Sequence, residues 1–365
     1  MTRDFTDWAA FSARRPEFEK SEQIWRSVLE PALSEREGDR ANHIRTTITR
    51  TIFVGLAVGA PILGLMALTM GWGIISPVAL FAVFIAAGAG FAVNGFRWLR
   101  VFTMHIKTKD LILGAATEMY GFEYDSLKPD LSGITDLKTL QDSIGELVET
   151  SKSSMGASVS IGPMSQNHES AAFNRLIENG LLPEADKNQF EDKITGVRAG
   201  AQFELVECEI TDTSGDDSTV KFKGILLDIA YARPFLGKTL LSHEKRGWFT
   251  KLGKGLDTVD LNVAELDAAF SIYSSDQVEA RYLLTPERMQ RLIDLQKVFD
   301  GRNLRALFVD GRMTLALEGE NLFEGGSIFK PLPDPARFQT ALREIAQVCD
   351  VIDGFLDHNW TAKPN

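Results

Sequence analysis

The chain has 365 residues, of which 24% are charged and 44% hydrophobic, with a formal net charge of −11. That acidity excludes a general nucleic-acid binder, whose affinity comes from neutralising phosphates. Two distant cysteines, Cys208 and Cys349, make neither a disulfide framework nor a metal knuckle, and they fit a reducing compartment.

Charge is unevenly spread. Through Lys109 there are 13 basic and 9 acidic residues, a balance of +4; the remaining 26 basic and 41 acidic residues give −15. The opening MTRDFTDWAAF is too acidic and too poor in apolar residues for a signal peptide. Residues 1–50 are expected to form a cytosolic, mostly helical segment. Phe18, Ile24, Trp25, Val28, Leu29 and Leu33 recur there at helical spacing, and Pro31 predicts a break or kink.

The forty-six residues from Thr51 to Phe96 contain no charged side chain. Two runs, 51–71 and 77–96, each approach the roughly 20 residues a helix needs to cross a hydrocarbon core of about 30 Å. The expectation is a two-helix transmembrane hairpin with the lipid bilayer as partner. Arg36, Arg40, Arg45 and Arg50 precede it, and Arg97, Arg100, Lys107 and Lys109 follow it, while the link from Gly71 to Pro77 is uncharged. Basic flanks stay inside, so both termini are expected on the cytoplasmic side of a cell inner membrane. Gly55 and Gly59 in the first run, and Ala82, Ala86 and Gly90 in the second, predict close helix–helix packing. That packing joins either the two helices of one chain or neighbouring copies in a homo-oligomer. No ionisable residue lies within either run, which suits an anchor better than a transport path.

Beyond the hairpin, residues 97–150 read as a juxtamembrane helical region, with Leu137, Leu140, Ile144 and Leu147 at helical spacing. Residues 151–168 are a Ser/Gly-rich linker, 169–356 a cytosolic α+β domain and 357–365 a tail. A short helix over 171–179 is expected to stop at Gly180. Runs 201–210 and 219–231 flank a turn-rich TDTSGDDS and predict an antiparallel hairpin. Short strands are expected at 238–243, 257–262, 269–273 and 278–284. Thr285-Pro286-Glu287 opens a helix closed by Gly301, and Asp310-Gly311 joins strands 304–309 and 312–317. A last helix starts at Asp334-Pro335, with Phe338, Leu342, Ile345, Cys349 and Ile352 on its core face. The fold class is therefore α+β: a transmembrane hairpin plus a domain with a mainly antiparallel sheet and flanking helices.

The strings FEDKITG (190–196), VKFKGILLDI (220–229), FLGKTLL (235–241) and FSIYSSDQVEARYLLTPERMQRL (270–292) resemble the uncharacterised bacterial membrane proteins of the domain of unknown function 3137 family. The likeness runs over roughly residues 105–325. It implies paired N-terminal membrane helices carrying an intracellular domain of unestablished activity. Genes of the family lying beside those of LemA-type membrane proteins point to such a protein as a partner.

Candidate chemistry is sparse. Ala232-Arg-Pro-Phe-Leu-Gly237-Lys238-Thr239 imitates a phosphate loop, but Pro234 removes an amide donor, Phe235 is bulky and a strand follows. The five histidines are scattered, without the i, i+3 or i, i+4 spacing of a helical ligand pair. Asp212, Asp216 and Asp217 crowd a turn without the spacing of a calcium loop. No catalytic, cofactor or metal residues are assigned. Arg281, with Glu279 and Asp276 beside it, is the candidate contact residue, either for an anionic partner or for an internal ion pair. The expected function is a protein-interaction or scaffold module at the membrane. The alternatives are a membrane-anchored, hydrolase-like enzyme and a transport or assembly component that oligomerises through its helices.

Overall fold

A computed structural model describes residues 5–70, 84, 88, 90, 94–127, 170–213, 218–231, 234–243, 252–319, 323 and 325–356; at 62–70 and Phe96 the description stops at the backbone. The region 128–150, the linker 151–168 and the tail 357–365 lie outside the described residues. Within those bounds the architecture is α+β around one antiparallel sheet.

The N-terminal segment is helical, as its spacing predicts. Helix α1 (Trp8–Ser12) and a 3-10 turn (Pro16–Phe18) lead into α2 (Ser21–Ile24). The chain then passes through a π turn at Trp25–Leu29 into α3 (Glu30–Met70). Pro31 has no N–H to return to the preceding turn, and the chain absorbs the mismatch by widening that turn rather than by breaking. Phe11 stacks on Phe18 at 4.5 Å, and Trp25 stacks on Phe338 at 6.4 Å. Val28, although in step with these residues, is exposed.

Helix α4 (Gly95–Glu118) runs beside α3. A Cβ on Gly90 would sit 2.7 Å from the Thr51 carbonyl oxygen and 3.6 Å from the Gly55 nitrogen, so no larger residue fits there. The Trp98 indole N–H donates to the Thr51 hydroxyl at 3.3 Å. Gly55 and Gly90 thus pack against each other within one chain. Gly59 is buried as well, whereas Ala82 and Ala86 lie outside the described residues.

The transmembrane hairpin is not supported. Among the described residues no helix is long and apolar enough to cross a membrane. The first expected span lies on α3, whose helical backbone is described through Met70 and whose side chains are described only to residue 61. Most of the second span, 77–96, falls outside the described residues. Upstream of the first span α3 carries Glu35, Arg36, Glu37, Asp39 and Arg40.

The sheet follows the order β1-β2-β3-β4-β9-β8-β5-β7-β6, with every pairing antiparallel. Its strands are β1 (Glu123–Ser126), β2 (Lys187–Arg198), β3 (Ala201–Asp212), β4 (Thr219–Ala230), β5 (Thr239–Ser242), β6 (Asp257–Thr258), β7 (Ser271–Ser274), β8 (Arg302–Val309) and β9 (Arg312–Glu318). Side chains alternate between two cores. Leu205, Ile225, Leu227, Leu315 and Leu317 face the larger one, while Val206, Cys208, Ile210, Phe222 and Leu226 face the smaller. Both faces are therefore covered, which is why β3 and β4 read as near-continuous apolar runs.

Helix α5 (Ala171–Glu178) sits on the smaller core, is capped by Ser170 and ends at Gly180 with φ +70. Helix α6 (Ala264–Ala269) precedes β7. Helices α8 (Pro286–Val298) and α9 (Pro335–Phe355) cover the larger core with the N-terminal helices. Thr285 and Asp334 cap them as expected. Asp310 and Gly311 both take positive φ, the geometry a two-residue hairpin turn requires. The segment expected as a strand at 278–284 is instead α7 (Gln277–Leu283), because the Asp276 carboxylate accepts from the Val278 and Glu279 amides and starts a helix.

Strand β4 crosses β9 closely at Gly224, where an added Cβ would fall onto the Leu317 carbonyl oxygen of the neighbouring strand. Gly224→Ala is expected to lower stability by about 1–3 kcal/mol or more, read as a lower midpoint in urea unfolding.

Candidate functional site

Helices α3 and α4 enclose a cleft of about 490 Å³ at the edge of the body. Arg36, Arg40 and His43 line one wall at i, i+4 and i+7, and Arg100 and Lys107 line the other at i and i+7. Asp39 is the acid among them, and Met104 and Leu332 supply apolar surface. Arg40 is committed inward. Its guanidinium grips the Glu37 carboxylate with two donors, at 2.9 and 2.5 Å, and donates to the Ile328 carbonyl at 2.6 Å. Arg40 and the backbone N–H of Leu332, 2.8 Å away, hold the Glu37 carboxyl below its usual range. Among the described residues Arg36 and Arg100 are exposed cations with no ion pair drawn to them.

Beneath the cleft, Lys109 turns into the protein. Its ammonium pairs with Asp192 and lies 3.7 Å from Glu207, and all three residues are almost wholly buried. The local cause is a bulge in β2: pairing with β3 slips between Phe190 and Lys193, which places Glu191 and Asp192 at the irregularity. Tyr124 of β1 lies 2.8 Å from Asp192 and 2.9 Å from Asp110 through its hydroxyl. A phenol has one proton, so one of these carboxylates accepts it and the other must bring its own. Burial raises the Asp110 pKa, which suits that second role.

Burial also drives the Glu207 pKa well above its usual value, and Asp192 beside it adds to the effect. Burial works against the Lys109 ammonium, but Asp192 and Glu207 more than offset it and raise its pKa. Oxygens of Glu191, Asp192 and Glu207 lie within 4.8 Å of one another, a spacing that could hold a metal ion. The Lys109 ammonium already stands among them as the cation, so the cluster reads as an ionic lock.

The residues singled out in sequence part company. Asp276 caps α7, and Glu279 is buried, accepting from the backbone N–H groups of Leu236 and Gly237 at 2.7 and 2.9 Å. Those are amides that a phosphate loop would have offered to its ligand, and β5 follows instead of a helix. Arg281 is exposed and donates to the Asp260 carbonyl at 3.1 Å and to Gln277 at 3.3 Å, not to Glu279 or Asp276. Both cysteines are buried, and burial pushes the Cys349 thiol up to about 12. Asp212 pairs with Lys221 at 3.4 Å, whereas Asp216 and Asp217 lie outside the described residues. The cleft itself was missed because its arginines were counted as flanking charges. The i, i+4, i+7 spacing of Arg36, Arg40 and His43 was the available signal.

Residues 220–356 match the family model described as Protein of unknown function (DUF3137). This segment belongs to that family. The match takes in three of the four strings quoted above, omits 190–196 and extends through α9. No curated protein matches. Among solved structures, the crystal structure of the mycobacterial trehalose monomycolate transport factor A, TtfA, aligns at 10% identity and a TM-score of 0.28, over 66% of this chain and 93% of that one. A score that low carries nothing about fold or role. Except for Leu332, the cleft and the ionic lock are built outside the DUF3137 segment.

Two measurements test the lock. Lys109→Met leaves buried carboxylates without their cation and is expected to cost about 3–5 kcal/mol in urea unfolding. The folded chain holds the Glu207 proton more tightly than the unfolded chain does. Stability from this group is therefore full below the ordinary value of 4.5 and falls as pH rises through the raised folded value. Glu207→Gln carries no such proton, so its thermal midpoint is expected to fall less than that of the parent as the pH is raised above 4.5.

Proposed function

We propose that this chain is an interaction module, in which an α+β body holds a pair of helices and offers them to a partner protein. The observation that carries this reading is a row of exposed apolar side chains on α3. Ile48, Ile52 and Leu56 recur every fourth residue with Phe53 beside them, and Phe53 is 71% exposed. Large apolar groups left together in water mark a contact surface, because covering them releases the water they order.

The body supports presentation because it roots the pair firmly. Arg40 and Glu37 are tied to the loop at 325–332, and Arg337 donates to the Gly325, Ser327 and Lys330 carbonyls to shape that loop. The N-terminal segment is fastened in turn: Arg15 bonds Asp350 at 2.8 Å, and the Gln339 amide exchanges hydrogen bonds with the Thr6 backbone. The cluster that most resembles catalytic machinery, Asp192 with Glu207, is sealed from solvent by Lys109, which favours contact over chemistry.

A photo-crosslinking side chain placed at Phe53 in the full chain, expressed in its own cells, is expected to give a discrete protein adduct. Ile52→Ser with Leu56→Ser should abolish that adduct while leaving the melting curve of the body unchanged. Absence of any protein adduct from positions 52, 53 and 56 alike would sink the reading.

A further inference from the structure

We infer that the cleft between α3 and α4 binds an organic phosphate, with Arg36 and Arg100 clamping the phosphate group from opposite walls. Cations from both helices line this cleft of about 490 Å³, within the range of about 300–1,000 Å³ usual for small-ligand sites, in a chain whose net charge is −11. Arginine presents a planar fork of donors, and a single carboxylate has only one edge to fill such a fork. Two forks supplied to one cleft by two helices suit an anion with three or four oxygens around one centre, which phosphate supplies. His43, one turn beyond Arg40 on the same face of α3, adds a ring nitrogen to the wall.

One turn further, at i+4 from His43, Thr47 is fully buried and its hydroxyl has no hydrogen-bond partner among the described residues, but it does not line the cleft. Thr103 and Thr108 do not compete for a ligand, since their hydroxyls bond the Leu99 and Met104 carbonyls of their own helix at 2.9 and 2.8 Å. Met104 and Leu332 give the cleft an apolar part, which suits the carbon portion of an ester better than a bare ion. Asp39 stands in the same cleft and opposes the anion, so it limits affinity.

The inference uses the same helix pair as the contact surface but not its apolar row. Titration of the full chain with glycerol 3-phosphate, dihexanoyl phosphatidic acid and inorganic phosphate, followed by calorimetry, tests it. Saturable binding of at least one ester, one per chain, is expected. Arg36→Gln and Arg100→Gln should each weaken it about tenfold, and Asp39→Asn should tighten it. Equal binding of both esters assigns a soluble phosphate ester, whereas binding of the lipid alone assigns a headgroup with its chains. The assignment is overturned if neither ester saturates, if inorganic phosphate binds as tightly as the esters, or if the double variant Arg36→Gln with Arg100→Gln melts like the parent and binds unchanged. Crosslinking from Phe53 in that double variant separates the two readings, because it persists whether or not the phosphate site exists.

Discussion

One buried ammonium joins the two halves of this molecule. Lys109 projects from within α4 into a pocket of carboxylates made by the bulged strand β2 and its neighbour β3, where it is buried from water. An ion in such a place is tolerated only when its charge is answered at close range and the remaining oxygens find protons. Asp192 answers the charge, burial raises the Glu207 pKa, and the Tyr124 hydroxyl lies between Asp110 and Asp192. The lock sets where α4 meets the sheet, and everything carried by α4 and α3 inherits that placement.

The loop at 325–332 completes the joint. Gly325 lies so close to the Lys109 backbone that a Cβ there would be 2.8 Å from the Lys109 Cα, and a few residues later the same loop takes hydrogen bonds from Arg40 and gives one to Glu37. A segment inside the DUF3137 match therefore touches both helices that lie outside it. The consequence is a cleft with fixed walls. Arg36 and Arg100 come from helices that could slide past each other if either anchor were missing, and two charged forks converge on one ligand only when their backbones hold still.

Much of the sheet domain was legible in sequence because its signals are local. Asp310-Gly311 demanded a tight hairpin, Thr285-Pro286 and Asp334-Pro335 demanded helix starts, and runs 201–210 and 219–231 about a turn-rich link demanded an antiparallel pair of strands. Two local signals misled. The apolar and polar residues at 278–284 alternate as in a strand, yet the Asp276 side chain captures two amides and the chain coils into a helix. The long uncharged run 51–96 pointed to a hairpin through lipid, but among the described residues no helix meets that requirement. Three of the flanking arginines, Arg36, Arg40 and Arg100, line a cleft.

Taken alone, the amino-acid order determined periodicity, caps and turns, because each depends on residues within a few positions of one another. It also pointed to Cys349 as a core side chain and to Gly55 as a site of close helix packing. Only the tertiary structure decided which charges are buried, that Lys109 finds Asp192 and Glu207, that Glu279 spends itself on the Leu236 and Gly237 amides, and that Arg36 and Arg100 line one cleft. Those pairings join residues from 42 to 98 positions apart, and their energies depend on distance and exclusion of water, neither of which is written in local sequence.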